Sequence, residues 1–283
     1  ECHGLEHWTH FYTDYGRHIE LQFFDHFLKG VDNGWAERPR VQLQVRHVDG
    51  FEERFEDAWP LPSTDWTKFY LDPHRQTLSL TPPDTKADLT FDAMGDGLTF
   101  LSEPMSTDTE ITGPSAARLV VSSSTEDADL FLVLRVFTPD MREITFMGAI
   151  DPHTPVAQGW LRASHRKLDP ALSEPWRPYH IHDERQMLAP GAPVPLDIEI
   201  WPSSIVVPKG YRIALSVLGR DYIWQETTGA KLSNFKNELR GCGPFLHDDP
   251  RDRPAAIFGG VTTLHIDPDD PCHVLLPIIP SEC

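Results

Sequence analysis

No long apolar run occurs in this sequence; the longest, Leu-Phe-Leu-Val-Leu at 130–134, is stopped by Arg135. A membrane-spanning helix needs roughly 18 apolar residues in a row, so no span is expected. Basic clusters are also missing. The chain carries 25 Lys and Arg against 43 Asp and Glu, a formal charge of −18. Such a surface repels phosphate backbones, which excludes nucleic acid as an expected partner. Cysteine is sparse: Cys2, Cys242, Cys272 and Cys283 lie scattered, without CxxC pairs or a regular framework. That usage points to a reducing compartment, the cytoplasm, rather than a disulfide scaffold. The chain opens without an initiator Met, a basic n-region or an apolar h-region, and is therefore expected to start inside a longer gene product. No serine stands in a G-x-S-x-G elbow; "GPSAA" at 113–117 fails at its last position.

What is abundant is proline, 26 residues in 283, roughly twice ordinary usage. Proline fixes φ and removes a backbone donor, so this density argues for short strands joined by many turns. Alternating segments bear this out from about Arg40 onward. "VQLQVRHV" (41–48), "KFYLD" (68–72), "ARLVVSSS" (117–124), "LFLVLRVF" (130–137) and "EITFMGA" (143–149) read as strands. So do "LDIEIW" (196–201), "YRIALSVLG" (211–219), "VTTLHID" (261–267) and "HVLLPII" (273–279). Eight or more strands broken by Pro/Gly turns suit a two-sheet sandwich with Greek-key connections. The period is helical only before this region. In "DYGRHIELQFFDHFLKG" (14–30), Tyr15, Ile19, Phe23 and Phe27 repeat every four residues, and Leu21, Phe24 and Leu28 widen the arc. Asp14 is the expected N-cap and Gly30 the stop. A helix this apolar should be covered on more than one side. Residues 219–258 are less regular, with a short helix expected around "SNFKNELRG".

Chemistry is concentrated at the start, in "HGLEHWTHFYTDYG" (3–16). These histidines read four ways. They are solvated or packed side chains near a terminus. Alternatively "HGLEH" is an H-x-x-E-H zinc helix, although Gly4 and the following "WTHFYT" oppose a stable helix there. Thiol chemistry by Cys2 lacks a third group to orient the base. Finally, one histidine is the general base of a serine hydrolase, which in α/β-hydrolases sits on a loop before a closing helix. The second cluster, "HIHDE" (180–184), places alternate residues on one strand face, but its carboxylate spacing is poor for a metal.

The runs "FFDHFLKG" (23–30), "RVQLQVR" (40–46), "WPLPSTDWTKFYLD" (59–72), "DADLFLVLRVFTPD" (127–140) and "PKGYRIALSV" (208–217) together resemble the C-terminal half of the X-Pro dipeptidyl-peptidase and cocaine-esterase (CocE/NonD) hydrolases. The resemblance implies an architecture: residues 1–38 as the last loop and helix of an α/β-hydrolase domain, and 39–283 as a galactose-binding-like jelly-roll β-sandwich. It also implies an activity, ester or X-Pro amide cleavage by a Ser-His-Asp triad. In the family the histidine ends a G-P-W-x-H segment before the F-F-D helix. "HGLEH" stands in that place without the Pro-Trp pair, which aligns His7 with the catalytic histidine and leaves His3 and His10 as lesser candidates. The triad Ser and Asp would lie upstream of Glu1, in a hydrolase domain that is the implied partner. The substrate would be a small ester or peptide. No cofactor or metal is expected, and a homo-oligomer is allowed. The alternative from another class is a non-catalytic carbohydrate-binding jelly roll, with Trp176, Trp201 and Trp224 stacking on sugar rings. The apolar N-terminal helix discriminates, because a free-standing binding module has no use for it.

Overall fold

The computed structural model describes residues 13–148, 151–225, 240–242 and 246–280. Helix α1 (Asp14–Lys29) leads into strands β1 (Val41–His47), β2 (Gly50–Glu56), β3 (Asp65–Asp72), β4 (Thr77–Ser79), β5 (Ala87–Asp92) and β6 (Leu98–Ser102). The long β7 (Thr109–Ser123) follows, then β8 (Asp129–Phe137), β9 (Glu143–Ile144), β10 (Ala157–Arg162), β11 (Val194–Val207) and β12 (Arg212–Leu218). A single-turn helix α2 (Ala255–Phe258) precedes β13 (Val261–Ile266) and β14 (His273–Ile279). The molecule is mainly β, as its proline content and alternation imply.

Hydrogen bonding links the strands in one path, β10-β8-β12-β6-β4-β3-β14-β7-β11-β1-β2, with β13 and β5 branching from β7 and β9 attached to β8. The path curls back on itself. A Cβ added at Gly159 in β10 would lie 2.1 Å from the Glu199 carbonyl oxygen in β11, so two strands far apart along the path touch backbone to backbone. Only glycine permits that approach.

The core lies inside the curl, where Leu71, Phe100, Leu119, Leu132, Leu134, Ile198, Ile213 and Leu276 are buried. Strand β11 shows how alternation fills it. Leu196, Ile198 and Ile200 point inward, and the inward set resumes at Ser203, Ile205 and Val207. The register against β7 shifts between Ile200 and Ser203. This bulge absorbs one extra residue at Pro202 and leaves Trp201 outside. Arg46 is a buried cation in β1. Its Nε donates to the Ser204 carbonyl (3.1 Å) and its Nη2 to the Val156 carbonyl (3.0 Å), fastening β1 to its neighbours. No carboxylate among the described residues pairs with it, and burial pushes its pKa down to about 10.

Helix α1 agrees with the sequence in extent and differs in its cap. Thr13, not Asp14, is the N-cap, because its Oγ1 accepts the Gly16 backbone N–H at 3.2 Å. Asp14 occupies the first helical position, where its charge still favours the positive end. Gly30 terminates the helix at φ 67°. Its N–H donates to the His26 carbonyl, and that of Val31 to the Asp25 carbonyl, the paired bonds of a Schellman end. The expected coverage is not observed: among the described residues, nothing on α1 is buried.

Strand β14 matches the reading residue for residue, whereas "EITFMGA" forms a strand only at Glu143–Ile144, followed by a bridge at Phe146. Strands β2, β4, β5, β6 and β10 are additional to those expected. The helix expected around 233–241 falls largely outside the described residues.

Candidate functional site

His3, His7 and His10, and with them Cys2, lie outside the described residues. The helix that follows them in the sequence is α1. In it Leu21 is 58% exposed, Phe24 44%, Phe27 58% and Leu28 76%. Phe23 and Phe27 pack edge-on against Trp35 at 5.3 and 6.1 Å. One edge of the helix is therefore covered by the chain that follows it. Polar ties hold it there: Tyr15 Oη donates to Glu53 (2.8 Å), Gln22 and Asn33 exchange bonds with each other's carbonyls, and Arg38 donates to Gln22 and Gln42. The remaining apolar face points to solvent. This is an unusual placement of phenylalanine and leucine on a surface.

A second feature is a cleft of about 470 Å³ on the outer face of β8, β10 and β11. Outward alternation supplies part of its lining: Phe131 from β8, Trp160 from β10, and Glu199 with Trp201 from β11. Trp160 meets Trp201 edge-to-face at 5.0 Å, a favourable aromatic geometry. His247 closes one side, 5.5 Å from the Phe131 ring. It is itself held by Asp221, whose Oδ1 lies 2.8 Å from Nδ1 and raises the imidazole pKa.

The rim is charged and internally paired. Asp129 accepts from Arg162 Nε (2.8 Å) and Nη2 (3.0 Å) and from the buried Arg253 Nε (2.9 Å). Arg162 also reaches Asp252 at 3.1 Å. Arg253 donates further to the carbonyls of His247 and Gly219, so its position is fully determined.

Three histidines, His165, His180 and His182, also line the cleft. His165 is placed by a short turn that the buried Asp127 organises. Asp127 Oδ1 accepts the Ser164 N–H at 2.9 Å, and Oδ2 accepts the Ser164 hydroxyl at 2.6 Å. His165 Nδ1 lies 3.0 Å from His182 Nδ1, a contact that disfavours protonating both rings. Burial, with His182 next, lowers the pKa values of His165 and His180. His180 Nε2 is buried without a hydrogen-bond partner. Glu199, two residues before Trp201 on β11 and beside Gly159 of β10, has a carboxylate with no hydrogen bond or ion pair among the described residues, and burial raises its pKa.

The clusters named from the sequence thus separate. "HIHDE" contributes His180 and His182 to the cleft, but no set of three or more His, Cys, Asp or Glu side chains among the described residues is arranged to hold a metal ion. Trp176 stacks on Trp66 at 5.7 Å and Trp224 on His153 at 3.4 Å, so both are engaged in packing. Trp201 alone of the three lines the cleft, 57% exposed. Trp160, His165, Glu199 and His247 escape a reading of the sequence. The two described thiols are poor nucleophiles, since burial pushes Cys242 up to about 12 and Cys272 up to about 11. Among the described residues no helix is long and apolar enough to cross a membrane.

Known proteins share this fold over most of its length. Residues 33–273 match the family model of the X-Pro dipeptidyl-peptidase C-terminal non-catalytic domain. The chain is 25% identical to the cocaine esterase of Rhodococcus sp. (strain MB1 Bresler) over 300 aligned positions, covering 91% of this chain and 45% of that protein. It superimposes on a CocE/NonD family hydrolase from Staphylococcus aureus with a TM-score of 0.82 and 25% identity, over 96% of this chain and 47% of that one. An α-amino acid ester hydrolase shares the fold at 17% identity and a TM-score of 0.60, over 94% of this chain and 45% of that one. The chain spans less than half the length of these relatives. The family match over residues 33–273, most of the chain, makes it a member of the X-Pro dipeptidyl-peptidase C-terminal non-catalytic domain family, on a fold that CocE/NonD hydrolases share.

Proposed function

We propose that this chain is the C-terminal portion of a serine hydrolase that cleaves ester or X-Pro amide bonds. Residues 1–38 complete an α/β-hydrolase domain, and 39–283 form a jelly-roll domain that buttresses it and walls one side of the acyl pocket. The observation that carries the reading is the solvent-facing apolar side of α1, which a hydrolase domain lying upstream would cover. His7, a few residues before that helix, takes the proton of an upstream serine hydroxyl and returns it to the leaving alcohol or amine. An upstream carboxylate holds its other ring nitrogen, and the oxyanion donors are upstream as well.

The test uses the full-length gene product and the 283-residue chain side by side. A fluorophosphonate probe should label the former and leave the latter unlabelled. In the full-length protein His7→Ala should lower kcat by at least about a thousandfold, since triad members act as a unit, while His3→Ala and His10→Ala cost little. Stoichiometric labelling of a serine in the short chain would overturn the reading. If His3→Ala were the crippling change, the histidine assignment would be wrong by four positions.

A further inference from the structure

We propose that the cleft across β8, β10 and β11 is a binding site for a primary or secondary ammonium group carried on an apolar body, with Glu199 as counter-ion and Trp160 and Trp201 as walls. The carboxylates and guanidinium groups that line the cleft are those of Asp129, Asp252, Glu199, Arg162 and Arg253. Both arginines are held by Asp129, and Arg162 also by Asp252, so neither has a guanidinium free for an anion. His247 is occupied by Asp221. Glu199 is the carboxylate left over, without a hydrogen bond or ion pair among the described residues. The cation that acts on it is Arg177, which is itself engaged, donating to the Leu172 carbonyl at 3.0 Å and lying 5.4 Å from the Trp176 ring centroid.

A half-buried carboxylate without a partner costs free energy that an arriving cation removes. The surroundings select the kind of cation. Indole faces attract positive charge through the ring quadrupole, more strongly once water is displaced. His180 lines the cleft as well, its ring engaged by the Asp197 backbone and its pKa lowered by burial. An unmet carboxylate beside indole rings suits a ligand that brings N–H donors and charge together with apolar bulk. About 470 Å³ accommodates a ring-sized body.

Benzylamine and benzyl alcohol are the probes, matched in size and differing in the ammonium. Titration into the 283-residue chain at about pH 7.5, read by tryptophan fluorescence and calorimetry, should show benzylamine binding at least tenfold more tightly. Glu199→Gln should cost benzylamine at least tenfold and leave benzyl alcohol unchanged. Trp201→Ala, at a position too exposed to disturb folding, should weaken benzylamine at least fivefold. Equal affinity for the two probes, or indifference of benzylamine to Glu199→Gln in a variant with an unchanged urea midpoint, overturns the proposal. The same titration on the full-length gene product should retain binding. Its loss there would make the cleft a contact between domains, and the proposal would fall.

Discussion

The double substitution Phe24→Gln, Leu28→Lys separates a helix that belongs to another domain from one that belongs to this chain. Phe24 is 44% exposed and Leu28 76%, so together they offer solvent about 1.2 side chains of apolar surface. Covering a large apolar side chain stabilises by about 1.5–3 kcal/mol, which assigns about 2–4 kcal/mol to this pair where an upstream domain lies on it. In the 283-residue chain the same surface is already wet, and both replacements are good helix formers. The introduced lysine would also stand in the last turn, where positive charge is favoured. The short chain should therefore change by less than about 1 kcal/mol and should self-associate less. The full-length protein should lose about 2–4 kcal/mol. Urea unfolding followed by tryptophan fluorescence, with sedimentation of both proteins, measures all of this. An equal loss in the short chain would refute the reasoning, because the face would then be packed within residues 1–283.

The other expectations concern the cleft and its supports. Asp129→Asn should cost about 3–5 kcal/mol in urea unfolding, because it strips the counter-ion from the buried Arg253; a loss under about 1 kcal/mol would contradict the assigned pairing. Gly159→Ala should destabilise by about 2 kcal/mol or more, since its methyl would collide with the Glu199 carbonyl. His180 has a lowered pKa in the folded state, so the unfolded chain binds more protons as pH falls below about 6.5. Its contribution should therefore destabilise the fold between about pH 6.5 and 5, and the fall in urea midpoint over that range should be smaller in His180→Asn. His247 has the opposite sign: Asp221 raises its pKa, so the stability it adds is present below about 6.5 and fades as pH rises. Asp221→Asn should abolish that component.

The sequence disclosed what local chemistry controls. Gly30 and the four-residue repeat define α1 because a left-handed stop and an apolar stripe are properties of a short segment. Strand β14 was legible for the same reason, being an apolar run flanked by prolines. Strand β2, "GFEERFE", was not, because an edge strand wet on both sides carries no apolar alternation. Strand β10 escaped because Gln158 and Gly159 break its pattern, and the glycine serves a contact with β11 some forty residues away. The cleft was hidden by the same cause. Trp201 could be named as an aromatic, and Glu199 shares its strand face two residues earlier, but their meeting with Trp160 depends on the curl of the whole sheet. The resemblance of short motifs carried family membership further than periodicity did, since it drew on the order of segments along the chain.

The way the main strand path ends bears on how this molecule behaves in a crowded solution. Unpaired strand edges are templates on which other chains add strands and grow into aggregates. One end of the path, β2, carries Glu52, Glu53, Arg54 and Glu56, a row of charges that an incoming strand would have to desolvate. At the other end, β10 lies against the β11 backbone at Gly159, leaving little room for a newcomer on that side. With both ends of the main path guarded, and the branch edge β5 carrying Asp88 and Asp92, the stickiest surface left among the described residues is the phenylalanine- and leucine-rich side of α1. Insolubility of this chain in isolation would then be a matter of side chains meeting reversibly, curable by detergent or by the correct partner, rather than of backbones zipping into fibrils.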